Sequence, residues 1–234
     1  MLIKSIASSS EGNCYLISDG STSLVIECGI PIKKIASQID LAKVDGCLIT
    51  HEHRDHSAAF RDMHRYTTIY ASKGTLDVLN DKRKVASHMH VLQKVLKHNE
   101  PTTIKSFVVL PFNTQHDAVE PLGFLIYSKS TGERLLFATD TYYIKNQFRD
   151  LNYIMIECNY SKDLLSDDLT KTERLRLLQS HFELENVKKF LNATDLSKCK
   201  KIYLLHLSAR NSDAKRFKRE IQEETGVLTD ECDR

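Results

Sequence analysis

The sequence contains no run approaching the roughly 20 consecutive apolar residues that a bilayer-spanning helix needs. That excludes a helical membrane protein, and no membrane partner is expected. The first ten residues lack the sustained apolar core of a signal peptide, so the start is read as mature sequence. None of the six cysteines forms a C-x-x-C pair, and four lie in apolar runs. They are read as small core residues in a reducing compartment, which predicts a cytoplasmic location. An excess of either charge is also missing: 33 Lys and Arg against 31 Asp and Glu leave +2, so the whole chain has no polyanion-binding signature. Repeats, low-complexity tracts and linkers are absent as well.

What remains is 234 residues, 41% of them hydrophobic, enough to bury a core without disulfides. Apolar or β-branched runs bounded by turn residues predict strands at Leu2–Ala7, Cys14–Ser18, Ser23–Cys28, Gly46–Thr50 and Thr68–Ala71. Further strands are expected at Ile104–Pro111, Gly123–Ser128, Arg134–Thr139, Tyr153–Glu157 and Lys201–His206. Helical spacing follows Pro31 (Ile32, Ile35, Ile39, Ala42) and recurs at Ala58–Arg65, Leu184–Ala193 and Asp213–Glu224. This alternation predicts a single α/β domain over residues 1–234, two sheets covered by helices.

Ten histidines stand out, and three sit in one string, Thr50-His51-Glu52-His53-Arg54-Asp55-His56, directly after a predicted strand. In an extended chain the i, i+2 pair His51 and His53 points to one side and can share a metal. A turn would then aim Asp55 and His56 at a second metal. Imidazole with carboxylate suits Zn²⁺ or Mn²⁺. Three later residues stand at or beyond strand ends: His116, Asp140 and His206. The expected assignment is His51, His53 and His116 on one ion, Asp55, His56 and His206 on the other, and Asp140 bridging both.

These motifs resemble those of the metallo-β-lactamase-fold hydrolases. The similarity runs nearly end to end and is greatest to the YycJ/WalJ-type exonucleases. It is carried by Ala7-Ser8-Ser9-Ser10-Glu11-Gly12-Asn13-Cys14-Tyr15-Leu16, by His116-Asp117-Ala118-Val119-Glu120-Pro121-Leu122-Gly123-Phe124 and by Ala138-Thr139-Asp140. Ile156-Glu157-Cys158-Asn159, His181 and His206-Leu207-Ser208-Ala209-Arg210-Asn211 resemble both that group and ribonuclease Z. The resemblance implies an αββα four-layer sandwich of two mixed sheets flanked by helices. It also implies two divalent ions, phosphodiester hydrolysis by a metal-bridging hydroxide, and His181 as general acid oriented by Glu157.

Asp55 is a candidate for orienting the water as well as binding metal. Glu27 stands where the family carries Asp supporting the ligands. Arg54 replaces a small residue, and Phe182-Glu183 replaces Leu-Ser after His181. Ser208, Arg210 and Asn211 are candidate substrate contacts, with turn formation or a surface ion pair as the alternatives. His64, His88, His90 and His98 are left to the surface.

Charge is uneven. Lys198 to Arg219 holds eight basic residues against Asp213, and Lys82 to His98 holds five with no acid. Such faces could track a nucleic-acid backbone or simply be solvated. Between Asp140 and His206 there is no room for the large inserted domain of RNA-processing relatives, so DNA is expected before RNA. A small phosphodiester such as a cyclic nucleotide, or a thioester or lactone, is the alternative substrate. The oligomeric state is open, a homodimer included.

Overall fold

Short apolar runs bounded by turn residues become the strands of this chain. The computed structural model describes residues 1–83 and 92–232, with thirteen strands and seven α-helices among them. His88, His90, Lys84 and the side chain of Arg83 lie outside the described residues. Tertiary contacts divide the chain into two units, residues 1–113 with 118–132, and residues 114–117 with 133–232.

In the first unit, β1 (Leu2–Ser9), β2 (Gly12–Ser18), β3 (Ser23–Ile26), β4 (Gly46–Leu48), β5 (Ile69–Ala71) and β6 (Gln93–Val95) form a sheet in that order. The pairing is antiparallel from β1 to β3 and parallel from β3 to β6. The parallel steps are bridged by α1 (Ile32–Ala36), α2 (Arg54–Ser57), α3 (Phe60–Met63) and α4 (Lys73–Arg83). Val25, Cys47, Ile49 and Ile69 cluster with Ile35, Phe60, Met63 and Leu79 in its core. A second, antiparallel ladder runs β7 (Thr102–Ile104), β8 (Phe107–Asn113), β9 (Leu122–Ser128).

The second unit holds four parallel strands, β10 (Arg134–Ala138), β11 (Tyr153–Glu157), β12 (Lys201–Leu205) and β13 (Thr229–Glu231), in the order β13-β12-β11-β10. Helices α5 (Lys171–Ser180) and α6 (Leu184–Asn192) link β11 to β12, and α7 (Ala214–Thr225) links β12 to β13. Strands β3, β10 and β11 are buried almost throughout, so they read as unbroken apolar runs rather than alternating ones.

Several expectations are revised. The strand over Ile104–Pro111 is a hairpin, turned at Lys105 with φ +51°. The helix expected over Ala58–Arg65 is shortened to the one-turn α3, ahead of which the Ala59 N–H donates to the Cys28 carbonyl at 2.8 Å, and a separate turn, α2, precedes it. His64 is buried, not on the surface: it bonds the Phe60 carbonyl at 2.8 Å and Gln93 at 2.9 Å. His98 is exposed as expected. Cys14, Cys28, Cys47 and Cys158 are buried, and burial pushes the thiols of Cys14 and Cys158 up. Among the described residues no helix is long and apolar enough to cross a membrane.

Asp19, in the β2–β3 turn, ties that hairpin to the second ladder of its unit. Its carboxylate accepts from the hydroxyls of Ser106 and Ser128, each at 2.7 Å, and from the N–H groups of Thr22 and Ser21. Burial pushes the carboxyl up, but the Ser106, Ser128 and backbone bonds together outweigh it and pull it down to about 2. A group depressed on folding contributes stability that is complete above its unfolded value, near 4, and is lost as pH falls through the folded value. Asp19→Asn is therefore expected to cost about 1 kcal/mol at neutral pH, after allowance for partial solvent screening. In urea unfolding, the gap between wild type and variant should shrink as pH is lowered from 4 towards 2.

Candidate metal centre

Every candidate ligand but His116 sits close behind the carboxyl end of a parallel strand, where open α/β sheets keep their binding crevices. In the first unit the string after β4 is shaped by two close approaches. Gly29 N–H donates to Asn13 O at 2.8 Å and Cys28 N–H to His56 O at 2.9 Å. A β-carbon on Gly29 would fall 1.6 Å from the Asp55 carbonyl oxygen, so only glycine lets the chain pass. The Asn13 side chain then donates to Ser9 O at 3.0 Å and Asp55 O at 3.3 Å, fastening the serine-rich β1–β2 turn to the histidine turn.

Within this turn the imidazoles are oriented from behind. Thr50 Oγ1 donates to Glu27 Oε1 at 2.5 Å and so accepts from His51 Nδ1 at 2.9 Å. His56 Nδ1 lies 3.5 Å from Glu27 Oε1, and the Asn13 amide nitrogen, a donor, stands 3.3 Å from His56 Nε2. Both rings thus turn Nδ1 towards the Glu27 side and Nε2 away from it. His51 Nε2 lies 3.1 Å from His53 Nδ1, and Asp55 Oδ2 lies 3.2 Å from His56 Nε2. Glu27 is fully buried, and burial pushes its carboxyl up against the opposing pull of His56 and Thr50. Its backbone is left-handed, φ +64°. Arg54 is exposed.

In the second unit the same device recurs around Glu157, also fully buried. Its Oε2 accepts from the N–H groups of Thr141 at 3.0 Å and Phe182 at 3.1 Å. Its Oε1 meets His181 Nδ1 at 2.6 Å and His206 Nδ1 at 3.1 Å. His206 Nδ1 also lies 3.0 Å from Asp140 Oδ1. His116 Nδ1 donates to the Ser180 carbonyl at 3.0 Å, leaving Nε2 towards Asp140 Oδ2 at 3.4 Å. Burial holds His116 below its usual value, by more than Asp140 raises it. For Glu157 burial acts upwards, yet the charge and hydrogen bond of His181 keep it low. His181 is correspondingly raised by Glu157 against the effect of burial.

Asp140, Glu157, His181 and His206 each bring a donor atom within 4.8 Å of the others. Of these, Asp140 and His206 are a carboxylate and an imidazole able to ligate a divalent cation, while Glu157 and His181 are bonded to each other beside them. The supporting bonds fit that use, since a metal-ligating histidine normally donates its other N–H to a carboxylate, a carbonyl or a hydroxyl oxygen. Sequence reasoning did not give roles to Asn13, Thr50, Thr141 or Asn159. Asn159 bonds the His206 carbonyl through Nδ2 at 2.8 Å and the Phe182 carbonyl through its N–H at 2.9 Å. The resemblance quoted both asparagines, but only their packing shows what they hold. Ser208 and Asn211 build the turn after His206: Ser208 Oγ accepts from Arg210 N–H and Asn211 N–H, and Asn211 Oδ1 accepts from Ser166 N–H. Arg210 stays exposed.

Comparison with known proteins agrees with this geometry. Residues 22–207 match the family described as the beta-lactamase superfamily domain. The exodeoxyribonuclease WalJ of Streptococcus pneumoniae serotype 2 is 26% identical over 223 residues, 88% of this chain and 81% of that protein. The exodeoxyribonuclease YycJ of Bacillus anthracis is 24% identical over 222 residues, 88% and 82% of the two chains. The crystal structure of the metallo-beta-lactamase fold protein YhfI from Bacillus subtilis superposes with a TM-score of 0.76 at 16% identity, covering 99% of this chain and 95% of that one. The expected fold of two mixed sheets with flanking helices is the fold found.

Two substitutions test how the turn is held. Gly29→Ala should force the Asp55 backbone away and lower both the thermal midpoint and the divalent-metal content measured after loading and dialysis. Glu27→Gln keeps the volume but removes the charge behind His56. It should weaken divalent-ion binding by roughly 10–100-fold, read by isothermal titration, with little change in far-ultraviolet dichroism.

Proposed function

The chain belongs to the beta-lactamase superfamily, and on that premise we propose that it is a metal-dependent phosphodiesterase working as a DNA exonuclease. The observation that carries this reading is the Glu157–His181 pair, 2.6 Å apart beside Asp140 and His206. Thioester or lactone hydrolysis would leave that pair idle. The matched exodeoxyribonucleases, aligned over most of their length, support the choice of DNA.

In this reading two ions, Zn²⁺ or Mn²⁺, would be held by His51, His53 and His116 and by Asp55, His56 and His206, with Asp140 shared between them. Such ions lower the pKa of a water towards neutrality and neutralise phosphate charge. Glu27 steadies His56 and, through Thr50, His51, while Asp55 doubles as an orienter of the attacking water. Glu157 keeps a proton on His181, which delivers it to the leaving oxygen. A positioned acid of this kind contributes about 10²–10⁴-fold. Arg210 contacts the substrate phosphate, and Ser208 and Asn211 shape the turn that presents it. The reading treats residues 1–234 as one catalytic domain. It places the activity in the cytoplasm, where buried cysteines that form no disulfide are stable.

His181→Ala is expected to retain both metals and lose turnover by about 10²–10⁴-fold. Normal turnover in that variant sinks the acid role. For the substrate, the metal-loaded protein is incubated with end-labelled single-stranded DNA, RNA, a cyclic nucleotide and a thioester. Processive shortening of DNA is the expected result; cleavage of the thioester alone removes the phosphodiesterase reading.

A further inference from the structure

The second unit contains a cavity of about 430 Å³ whose lining includes Phe182, the neighbour of His181 in the chain, and no catalytic role accounts for it. That volume lies within the roughly 300–1,000 Å³ usual for small-molecule sites. One wall is the irregular segment after Asp140, with Tyr142, Tyr143 and Lys145. The other is Phe182 and the face of α6 that carries Lys189 and Phe190. Tyr142 and Tyr143 are 40% and 53% exposed. Phe182, by contrast, is buried and lies 6.4 Å from Phe190 between ring centroids.

Three features describe the ligand this cavity fits. Its aromatic side chains offer faces on which a flat heterocycle can stack. Two lysines line it and no carboxylate does, so it favours an anionic ligand. Asn146, Gln147 and Asn186 add amides that can donate to and accept from the edge of a base. The walls are also joined to the proposed acid. Thr141 N–H, at the root of the first, and Phe182 N–H, in the second, both donate to Glu157 Oε2, at 3.0 and 3.1 Å. The other oxygen of that carboxylate holds His181. A group seated here therefore packs against Phe182, whose backbone N–H holds the carboxylate that orients the proposed acid.

We propose that this cavity takes a nucleobase of the strand undergoing hydrolysis, stacked on Tyr142 or Tyr143, with Lys145 and Lys189 drawing in the adjoining phosphate. The inference rests on the phosphodiesterase reading and adds to it a reason for choosing nucleotides over simple diesters. The replacement of Leu-Ser by Phe182-Glu183 becomes part of substrate recognition, since Phe182 supplies a wall.

The test uses the metal-loaded full chain and isothermal titration with deoxyadenosine 5′-monophosphate and, as a base-free control, deoxyribose 5-phosphate. The nucleotide should bind roughly 10-fold or more tightly than the control, a gap of the size stacking supplies. That gap should close in Tyr142→Ala/Tyr143→Ala. It should close again in Ala193→Trp, which fills the cavity from the exposed end of α6 and leaves both tyrosines in place. Equal binding of the two ligands by the wild type, or a gap that survives both variants, overturns the proposal. Hydrolysis of bis(p-nitrophenyl) phosphate keeps the two readings apart. If that diester is untouched with every metal, the phosphodiesterase reading fails; if it is cleaved and no gap exists, the nucleobase site alone fails.

Discussion

Two buried carboxylates set the terms for everything around them. Glu27 and Glu157 have no solvent exposure, and an ionised carboxylate in such surroundings persists only if its oxygens are fully engaged. Each lies at the carboxyl end of a parallel strand in its own unit, and each meets the demand in the same way. Backbone N–H groups and a hydroxyl or imidazole take up the oxygens: Thr50 and His56 for Glu27, and Thr141, Phe182, His181 and His206 for Glu157. Satisfying the carboxylate therefore orients the histidines. The bonds that make the acids tolerable inside the protein are the bonds that turn Nε2 of His51, His56 and His206 away from the acids.

This arrangement carries a conformational cost. Glu27, Asp140 and His206 have φ of +64°, +46° and +51°, a region that costs a residue with a side chain roughly 1–3 kcal/mol. All three come just after a strand. A side chain that continued the strand would alternate between the two faces of the sheet. The left-handed residue instead breaks that alternation and turns the group over the strand's end. The six-stranded sheet and the parallel strands of the second unit are buried firmly enough to hold such positions.

The same feature explains where the sequence misleads. Strands expected to run to Cys28, Thr139 and His206 stop at Ile26, Ala138 and Leu205, because apolar propensity does not register the change of φ that follows. The apolar cores of those strands were legible, as was H-x-H-x-D-H, since both depend on residue type at short spacing. Edge strands β6 and β13 were not, being three residues each and largely polar. Helix α5 lacks an apolar stripe, and Leu175 and Leu178 are exposed; its one sequence signal is the Thr170–Glu173 capping box. His64 was misjudged because its burial depends on Gln93 and Asn80, distant in sequence, completing its hydrogen bonds.

Charge patterning was the least reliable guide. The segment from Lys198 to Arg219 looks like a phosphate track in one dimension, but five of its eight basic residues meet carboxylates within the second unit. Lys198 pairs with Asp150, Lys200 with Glu133, Lys201 and Lys218 with Asp230, and Arg216 with Asp163 and Glu220. A lysine held by a carboxylate projects little field beyond a Debye length, so those five cannot supply a long-range attraction for a polyanion. On the proposed reading, recognition of a nucleic acid would rest less on this segment than on contacts near the chemistry. The residues suited to it are those with aromatic faces and no acid among them, and such a surface distinguishes a nucleotide from any other anion more sharply than a basic stripe would.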